Sequence, residues 1–250
     1  MAIPALIWVV GRGRPEYFSF LVFIVTLICL LEYYAMAFPG QWRQRVIGVV
    51  AGLFADPGLP NGGAWFSGMI VLLFTIYLFF SGKREERFHH LVWTLLGTLY
   101  IGYLIPHAAL LYRLSDGKEW VFFVLLVIMV GDTAGYFVGS LLGRRKLFPE
   151  VSPGKTVEGA VGSLAASLLA GAIGGRLFLP VNPWLEILGI SLVLSLLGQV
   201  GDLFESWIKR AFAVKDSGAI LPGHGGLLDR MDSLIFPFVF MTYYLRALHL

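Results

Sequence analysis

Three stretches of this chain hold residue types that could do chemistry together, and the densest runs from Asp202 to Asp232. Asp202, Glu205, Ser206 and Lys209 recur at i, i+3, i+4 and i+7, so one helix can present two carboxylates, a hydroxyl and an ammonium on a single face. The loop that follows reads GHGGLLDRMD. In it Gly223, Gly225 and Gly226 surround His224, and Asp229 and Asp232 stand three residues apart, on one face if they share a helical turn. Converging carboxylates repel one another unless they share a proton or a cation, and an all-oxygen ligand set completed by water and phosphate suits Mg²⁺. Lys209, Arg210, Lys215 and Arg230 place four cations in the same segment, the company that a magnesium-bound polyphosphate requires. Glycines beside His224 let backbone amides approach phosphate closely. Simple pairing of Asp229 and Arg230 with neighbouring surface charges explains less of this pattern.

The second stretch centres on Asp132, in the middle of the apolar block Trp120 to Leu142. An ionised side chain there costs at least about 2.5 to 3.5 kcal/mol unless it faces water, a cation or a partner, so Asp132 is a candidate site residue by default. Gly131, Gly135, Gly139 and Gly143 recur around it every four residues and form a flat face for helix packing. The third stretch is SPGKTVEG, Ser152 to Gly159. Ser152 followed by Pro153 reads as a helix start, whose unpaired amides, with Lys155 and Thr156 nearby, can meet either phosphate or solvent. The string GKT does not make a nucleotide P-loop, because Pro149 replaces the glycine required five residues before Gly154 and no strand is expected ahead of it. Beyond it, Gly159, Gly162, Ser163, Ala166, Ser167, Ala170, Gly171 and Gly174 form a stripe of small residues suited to tight helix packing in lipid.

The elements that must carry these residues are apolar. Hydrophobic residues make up 57% of the 250 and charged residues 14%, which excludes a secreted or cytosolic globule. The apolar blocks recur from end to end, so one signal peptide or anchor cannot account for them. Candidate spans are Tyr17 to Ala37, Val46 to Ala55, Ala64 to Ser81, Phe88 to Tyr112, Trp120 to Leu142, Val157 to Gly175, Pro183 to Phe204 and Ser233 to Leu248. The expectation is an all-α, polytopic integral membrane protein with about eight transmembrane helices. Val46 to Ala55 is too short to cross alone and reads as broken or re-entrant. The blocks lack the alternation of a membrane barrel. A single membrane domain is expected over residues 1–250, with N-terminal helices in 1–115 and catalytic helices and cytoplasmic loops in 116–250. Residues 1–10, MAIPALIWVV, are too few to span and read as the tail of a longer helix or as an interfacial segment, which leaves room for a start further upstream.

Charge placement orients the spans. With the N-terminus outside, the inner loops carry Arg43, Arg45, Lys83, Arg84, Arg87, Arg144, Arg145, Lys146, Lys155, Lys209, Arg210, Lys215 and Arg230, against Arg12, Arg14, Arg113, Lys118, Arg176 and Arg246 outside. Thirteen against six puts both ends outside and the chemistry-bearing loops on the cytoplasmic side. The lone cysteine, Cys29, excludes an intramolecular disulfide framework and a cysteine metal cluster. A net charge of +3 gives no nucleic-acid footprint.

Ser206 to Asp232, SWIKRAFAVKDSGAILPGHGGLLDRMD, resembles the signature of phosphatidate cytidylyltransferases, also called CDP-diacylglycerol synthases: a serine, Lys-Arg, Lys-Asp, Pro-x-His-Gly-Gly, Asp-Arg and a final Asp. Asp132 to Tyr136 resembles the family's Asp-Thr-x-Ala-Tyr element, and Ser152 to Gly159 its Ser-Pro-x-Lys-Thr-x-Glu-Gly element. The first half of the chain agrees only in being several apolar spans. Gly135 replaces the usual alanine, and Ser140 stands where the family commonly carries a basic residue, a contact that Arg144 or Arg145 would have to supply.

The resemblance implies transfer of cytidylyl from CTP to phosphatidic acid, with release of pyrophosphate and a requirement for Mg²⁺, with or without a second cation. It implies that Asp202, Asp229 and Asp232 hold the metal and, with Lys209, form the catalytic set. Lys209, Arg210, Lys215, His224 and Arg230 would grip nucleotide phosphates or the lipid headgroup. Asp132, Lys155 and Thr156 would complete the pocket, and Ser206 would hydrogen-bond a phosphate or metal-bound water. A homodimer in a bacterial inner membrane, its active site facing the cytoplasm, is the expected setting. A CTP-dependent lipid-alcohol kinase and a secondary transporter are the rival readings. The transporter should show its polar residues in both halves of the chain, whereas here they crowd the second.

Overall fold

The computed structural model describes residues 14–79, 82–179, 183–218 and 225–248. His224 and residues 1–10 lie outside the described residues. In chain order the elements are helices α1 (Pro15–Ala37), α2 (Trp42–Phe54), α3 (Gly62–Phe79) and α4 (Arg84–Gly97), a π-helical turn (Thr98–Tyr103), α5 (His107–Tyr112) and α6 (Gly117–Leu142), strands β1 (Lys146–Phe148) and β2 (Ser152–Thr156), then α7 (Val157–Phe178), α8 (Trp184–Ala211) and α9 (Leu228–Leu248). The chain is thus an all-α polytopic membrane protein. Among the described residues six helical stretches are long and apolar enough to cross a bilayer: Pro15–Ala37, Gly62–Phe79, Arg84–Tyr112, Gly117–Leu142, Val157–Phe178 and Trp184–Ala211.

Two of the eight expected spans do not reach that standard, for different reasons. The block at Val46 lies in α2, whose 13 residues extend only about 20 Å against a hydrocarbon layer of about 30 Å. The block at Ser233 lies in α9, which is long enough at 21 residues but is diluted by Asp229, Arg230, Asp232 and Arg246.

The hairpin before α7 corrects a further expectation. Ser152 and Pro153 do not start a helix; they lie in β2, antiparallel to β1, with Lys146 opposite Thr156 and Phe148 opposite Ser152. A residue ahead of proline is pushed out of the helical region, so Ser152 takes the extended conformation that a strand needs. The cap is Thr156 instead, whose hydroxyl accepts the Gly159 N–H at 3.1 Å at the start of α7. Glu158 in the first turn accepts the Arg144 and Arg145 backbone N–H groups at 3.0 and 3.2 Å, closing the base of the hairpin.

Contacts divide the chain into two compact units. One includes Arg14–Leu110 and Asp216–Asp229, the other Leu111–Lys215 and Arg230–Leu250. In the first, α1 begins with Pro15 at its first position and ends where Pro39 cannot continue a helix and Gly40 turns the chain at φ +74°. Antiparallel α2 sets Gly48 against Tyr34 and Gly52 against Leu30. Tyr33 and Tyr34 donate their hydroxyls to the Trp93 and Thr94 carbonyls at 3.0 and 2.8 Å, and Tyr77 is 2.7 Å from the Thr94 hydroxyl. These buried phenols pin the helices of a largely apolar core.

In the second unit the two small-residue stripes meet, as their spacing predicts. Gly131 of α6 lies against Ser163 and Ser167 of α7, Gly135 against Ser163 and Gly159, and Gly139 against Gly159. A β-carbon on Gly135 would come within 3.1 Å of the Ser163 Cβ and 3.3 Å of the Gly159 carbonyl oxygen, so the helices approach almost backbone to backbone. Ser167 spans the seam and donates to the Val127 carbonyl at 3.1 Å. This packing fixes where Asp132 and the hairpin stand.

Candidate active site

Three helices of the second unit each bring a carboxylate to one place. Asp132 comes from α6, Asp202 from α8 and Asp232 from the first turns of α9. Asp202 lies close enough to both Asp132 and Asp232 to act on each electrostatically. The backbone explains the proximity of the last two: the Asp232 carbonyl packs directly on Gly201, where any side chain on α8 would collide with it.

Two lysines bracket the carboxylates. Lys155, from the end of β2, places Nζ 2.6 Å from an Asp202 oxygen, with the two side chains 25% and 35% exposed. Lys209 is 2.5 Å from Glu205 one helical turn earlier on α8, and the Glu205 side chain is wholly buried. The α8 pattern therefore works as its spacing predicts, with one refinement. Glu205, given no role by the sequence reading, holds the ammonium of Lys209 and is a negative neighbour of Asp232. Ser206 is buried on the same helix.

Ser233 was also missed. Its hydroxyl donates to Asp132 at 2.8 Å, while its N–H donates to Asp232 at 2.7 Å. One residue thus ties two of the three aspartates, and only its place next to Asp232 in the sequence could have drawn notice.

Other candidates take places closer to the scaffold. Thr156 is buried and capping α7. Arg210 donates from Nε to the Val151 carbonyl at 3.2 Å and from Nη1 to the Val214 carbonyl at 3.1 Å, bracing the hairpin turn and the end of α8. Lys215 and Arg230 are exposed.

Asp229 belongs to the first unit. Its Oδ2 accepts the Ser217 N–H at 3.0 Å, the Ser217 hydroxyl at 3.0 Å and the Gly226 N–H at 2.8 Å. In the same unit Glu32 of α1, a carboxylate that the sequence reading passed over, is 4% exposed and accepts the backbone N–H groups of Leu227 and Leu228, both at 2.9 Å. The rule that singled out Asp132, an acid inside an apolar span, would have found it. Among the described residues no group of three His, Cys, Asp or Glu side chains is close enough to hold a metal ion by itself.

Comparison with known proteins agrees with the resemblance drawn from the motifs. The model of the cytidylyltransferase family matches residues 1–248. A phosphatidate cytidylyltransferase of Bacillus subtilis (strain 168) is 41% identical over 186 residues, which is 74% of this chain and 67% of that protein. One from Staphylococcus aureus (strain COL) is 40% identical over 169 residues, 67% of this chain and 62% of the relative. One from Staphylococcus saprophyticus is 39% identical over 184 residues, 70% of this chain and 69% of the relative. The chain thus spans 62 to 69% of the length of these relatives. A match over almost every residue means that the chain belongs to the cytidylyltransferase family.

Proposed function

We propose that this chain transfers the cytidylyl group of CTP to phosphatidic acid, leaving CDP-diacylglycerol in the membrane and releasing pyrophosphate. Family membership supports the reaction type, and the relatives named phosphatidate cytidylyltransferase support the acceptor. The observation that carries the reading is the gathering of Asp132, Asp202 and Asp232 between Lys155 and Lys209.

In this reaction a phosphate oxygen of the lipid attacks the α-phosphorus of CTP, and the bond from that phosphorus to the bridging oxygen of the β-phosphate breaks. The nucleophile is already an anion, so no strong base is needed. The difficulty is to hold two anions together and to stabilise charge growing on the pyrophosphate. Lys209 and Lys155 are placed to meet that charge, and each stands beside a carboxylate that keeps it oriented until a phosphate arrives. Arg210, Lys215, His224 and Arg230 add cations or donors for phosphates, and Ser206 a hydroxyl.

The donor set suits Mg²⁺. Asp132, Asp202 and Asp232 offer only hard oxygens, and Mg²⁺ keeps several waters and takes one or two carboxylates with substrate phosphates, so a closed protein cage is not required. Asp202 and Asp232 are the first residues we assign to it, and the resemblance to the family's signature, not the geometry, adds Asp229 to the assignment. The ion, alone or with a second cation, would neutralise the triphosphate and the leaving pyrophosphate. Charge placement favours a site facing the cytoplasm of a bacterial inner membrane, where CTP is at hand, and we propose that the protein works there as a homodimer.

The test is the fate of two labels. Purified protein in detergent, given phosphatidic acid, Mg²⁺ and CTP labelled at the α- or γ-phosphorus, should move the α-label into lipid and the γ-label into pyrophosphate. A γ-label in lipid would replace this reading with a lipid kinase, and no labelled lipid with either substrate would overturn it.

A further inference from the structure

We infer that Glu32 is a positioning residue for CTP use: from the first helix it holds the backbone on both sides of the signature loop, through Ser217 on one side and Leu227 and Leu228 on the other. The inference rests on the proposed function for its kinetic part only. Glu32 lies inside α1, where a carboxylate without partners is costly, yet it is buried. Both of its oxygens are engaged. Oε1 accepts the Leu227 N–H at 2.9 Å, and Oε2 accepts the Leu228 N–H at 2.9 Å and the Ser217 hydroxyl at 3.3 Å.

Leu228 opens α9, and the first N–H groups of a helix have no partner within it. Glu32 satisfies two such donors from a helix 195 residues away, as an N-cap side chain would, and sets its charge at the positive end of the helix dipole. The chain is moulded around this carboxylate. A β-carbon on Gly218 would lie 2.7 Å from Oε1, and one on Gly226 would lie 2.6 Å from Oε2.

The same hydroxyl links Glu32 to the signature. Ser217 Oγ stands 3.3 Å from Glu32 and 3.0 Å from Asp229, and it has one hydrogen to give. The Ser217 and Gly226 N–H groups complete the clasp on Asp229. Glu32 therefore fixes the backbone that presents Asp229, and with it the ends of the glycine-rich loop, without touching substrate itself.

Three variants test this: Glu32→Gln, Glu32→Asp and Ser217→Ala. An amide can accept through one atom only and turns an NH₂ group toward a backbone N–H, so E32Q should free one amide of the pair. Hydrogen exchange at Leu227 and Leu228 should quicken by about tenfold or more, with α6 and α7 unchanged, and the KM for CTP should rise by about tenfold while the KM for lipid holds. E32D keeps the charge and should fall between E32Q and the parent; S217A should raise the CTP KM by a smaller factor. Wild-type exchange and KM in E32Q would overturn the inference, as would exchange quickened equally throughout α1, α6 and α7. Should E32Q fail to accumulate, E32D and S217A decide by the same readouts, and parental values in both would overturn it. If the parent transfers no cytidylyl, the proposed function fails, while the exchange measurements still judge the brace.

Discussion

Lys155 and Asp202 meet at 2.6 Å, joining the end of a two-stranded hairpin to the inner part of α8. Exposed ion pairs contribute little to stability, and this one is a quarter to a third exposed. Under the proposed function its value is positional: it would hold an ammonium ready for a substrate phosphate, and it keeps a carboxylate from facing Asp132 and Asp232 alone. Lys155→Met should lower kcat/KM for CTP by about tenfold to a hundredfold, the worth of one charge-assisted hydrogen bond, with little change in melting temperature. Lys155→Arg should recover only part of the loss, because a planar fork does not replace a compact ammonium. Steady-state rates at varied CTP check both, and a Lys155→Met enzyme with parental kcat/KM would remove Lys155 from the site.

Asp232 is buried beside Asp202 and Glu205 with Lys209 close by. Asparagine keeps its shape and removes its charge. Asp232→Asn should cut turnover by at least about a hundredfold, and added Mg²⁺ should restore little of it, while the protein still inserts in membranes. Chelation of the parent should abolish turnover reversibly. Near-normal CTP consumption by Asp232→Asn would end its assignment as a metal ligand.

The legible and illegible parts of this molecule differ in physical kind. Asp132 announced itself because a charge in an apolar block must be satisfied by something, and Asp202 to Lys209 because helical spacing is a local property. Glu32 obeys the same rule as Asp132 but was passed over, since its partners, two backbone amides and the Ser217 hydroxyl, lie nearly the whole chain away. Ser233 was hidden likewise, because its contact with Asp132 joins residues 101 positions apart. The Ser152–Pro153 step misled, since a serine ahead of a proline fits a helix start by composition, whereas the paired hairpin is decided by tertiary contact. The shortness of α2 was legible, since ten apolar residues cannot cross a bilayer, whereas α9 falls below the standard of the other spans because charges at both of its ends dilute its apolar middle.

The seam between α6 and α7 gives a graded stability test. Gly135 sits where the resembling family carries alanine, and a β-carbon there would press at 3.1 Å on Ser163, a contact relieved by a shift of a few tenths of an ångström. At Gly131 it would run into the Ser167 hydroxyl, which is committed to the Val127 carbonyl. Gly135→Ala should therefore be well tolerated, whereas Gly131→Ala should destabilise by about 1 to 3 kcal/mol through overpacking. Thermal unfolding in one detergent compares them; equal melting temperatures would show that the seam yields more readily than its geometry implies.

Ser233 offers the sharpest test of how the aspartates are held. Its hydroxyl has one hydrogen, and that hydrogen goes to Asp132. If Ser233 acts on catalysis only by orienting Asp132, Ser233→Ala should lower kcat/KM by about fivefold to tenfold in the parent and hardly at all once Asp132 is asparagine. Threonine keeps the hydroxyl, so Ser233→Thr should stay near the parent. The four enzymes of the cycle, assayed at one CTP series, give the coupling directly. Equal losses in both backgrounds would mean that the hydroxyl serves something other than Asp132, and its contact with that carboxylate would then be incidental to the chemistry.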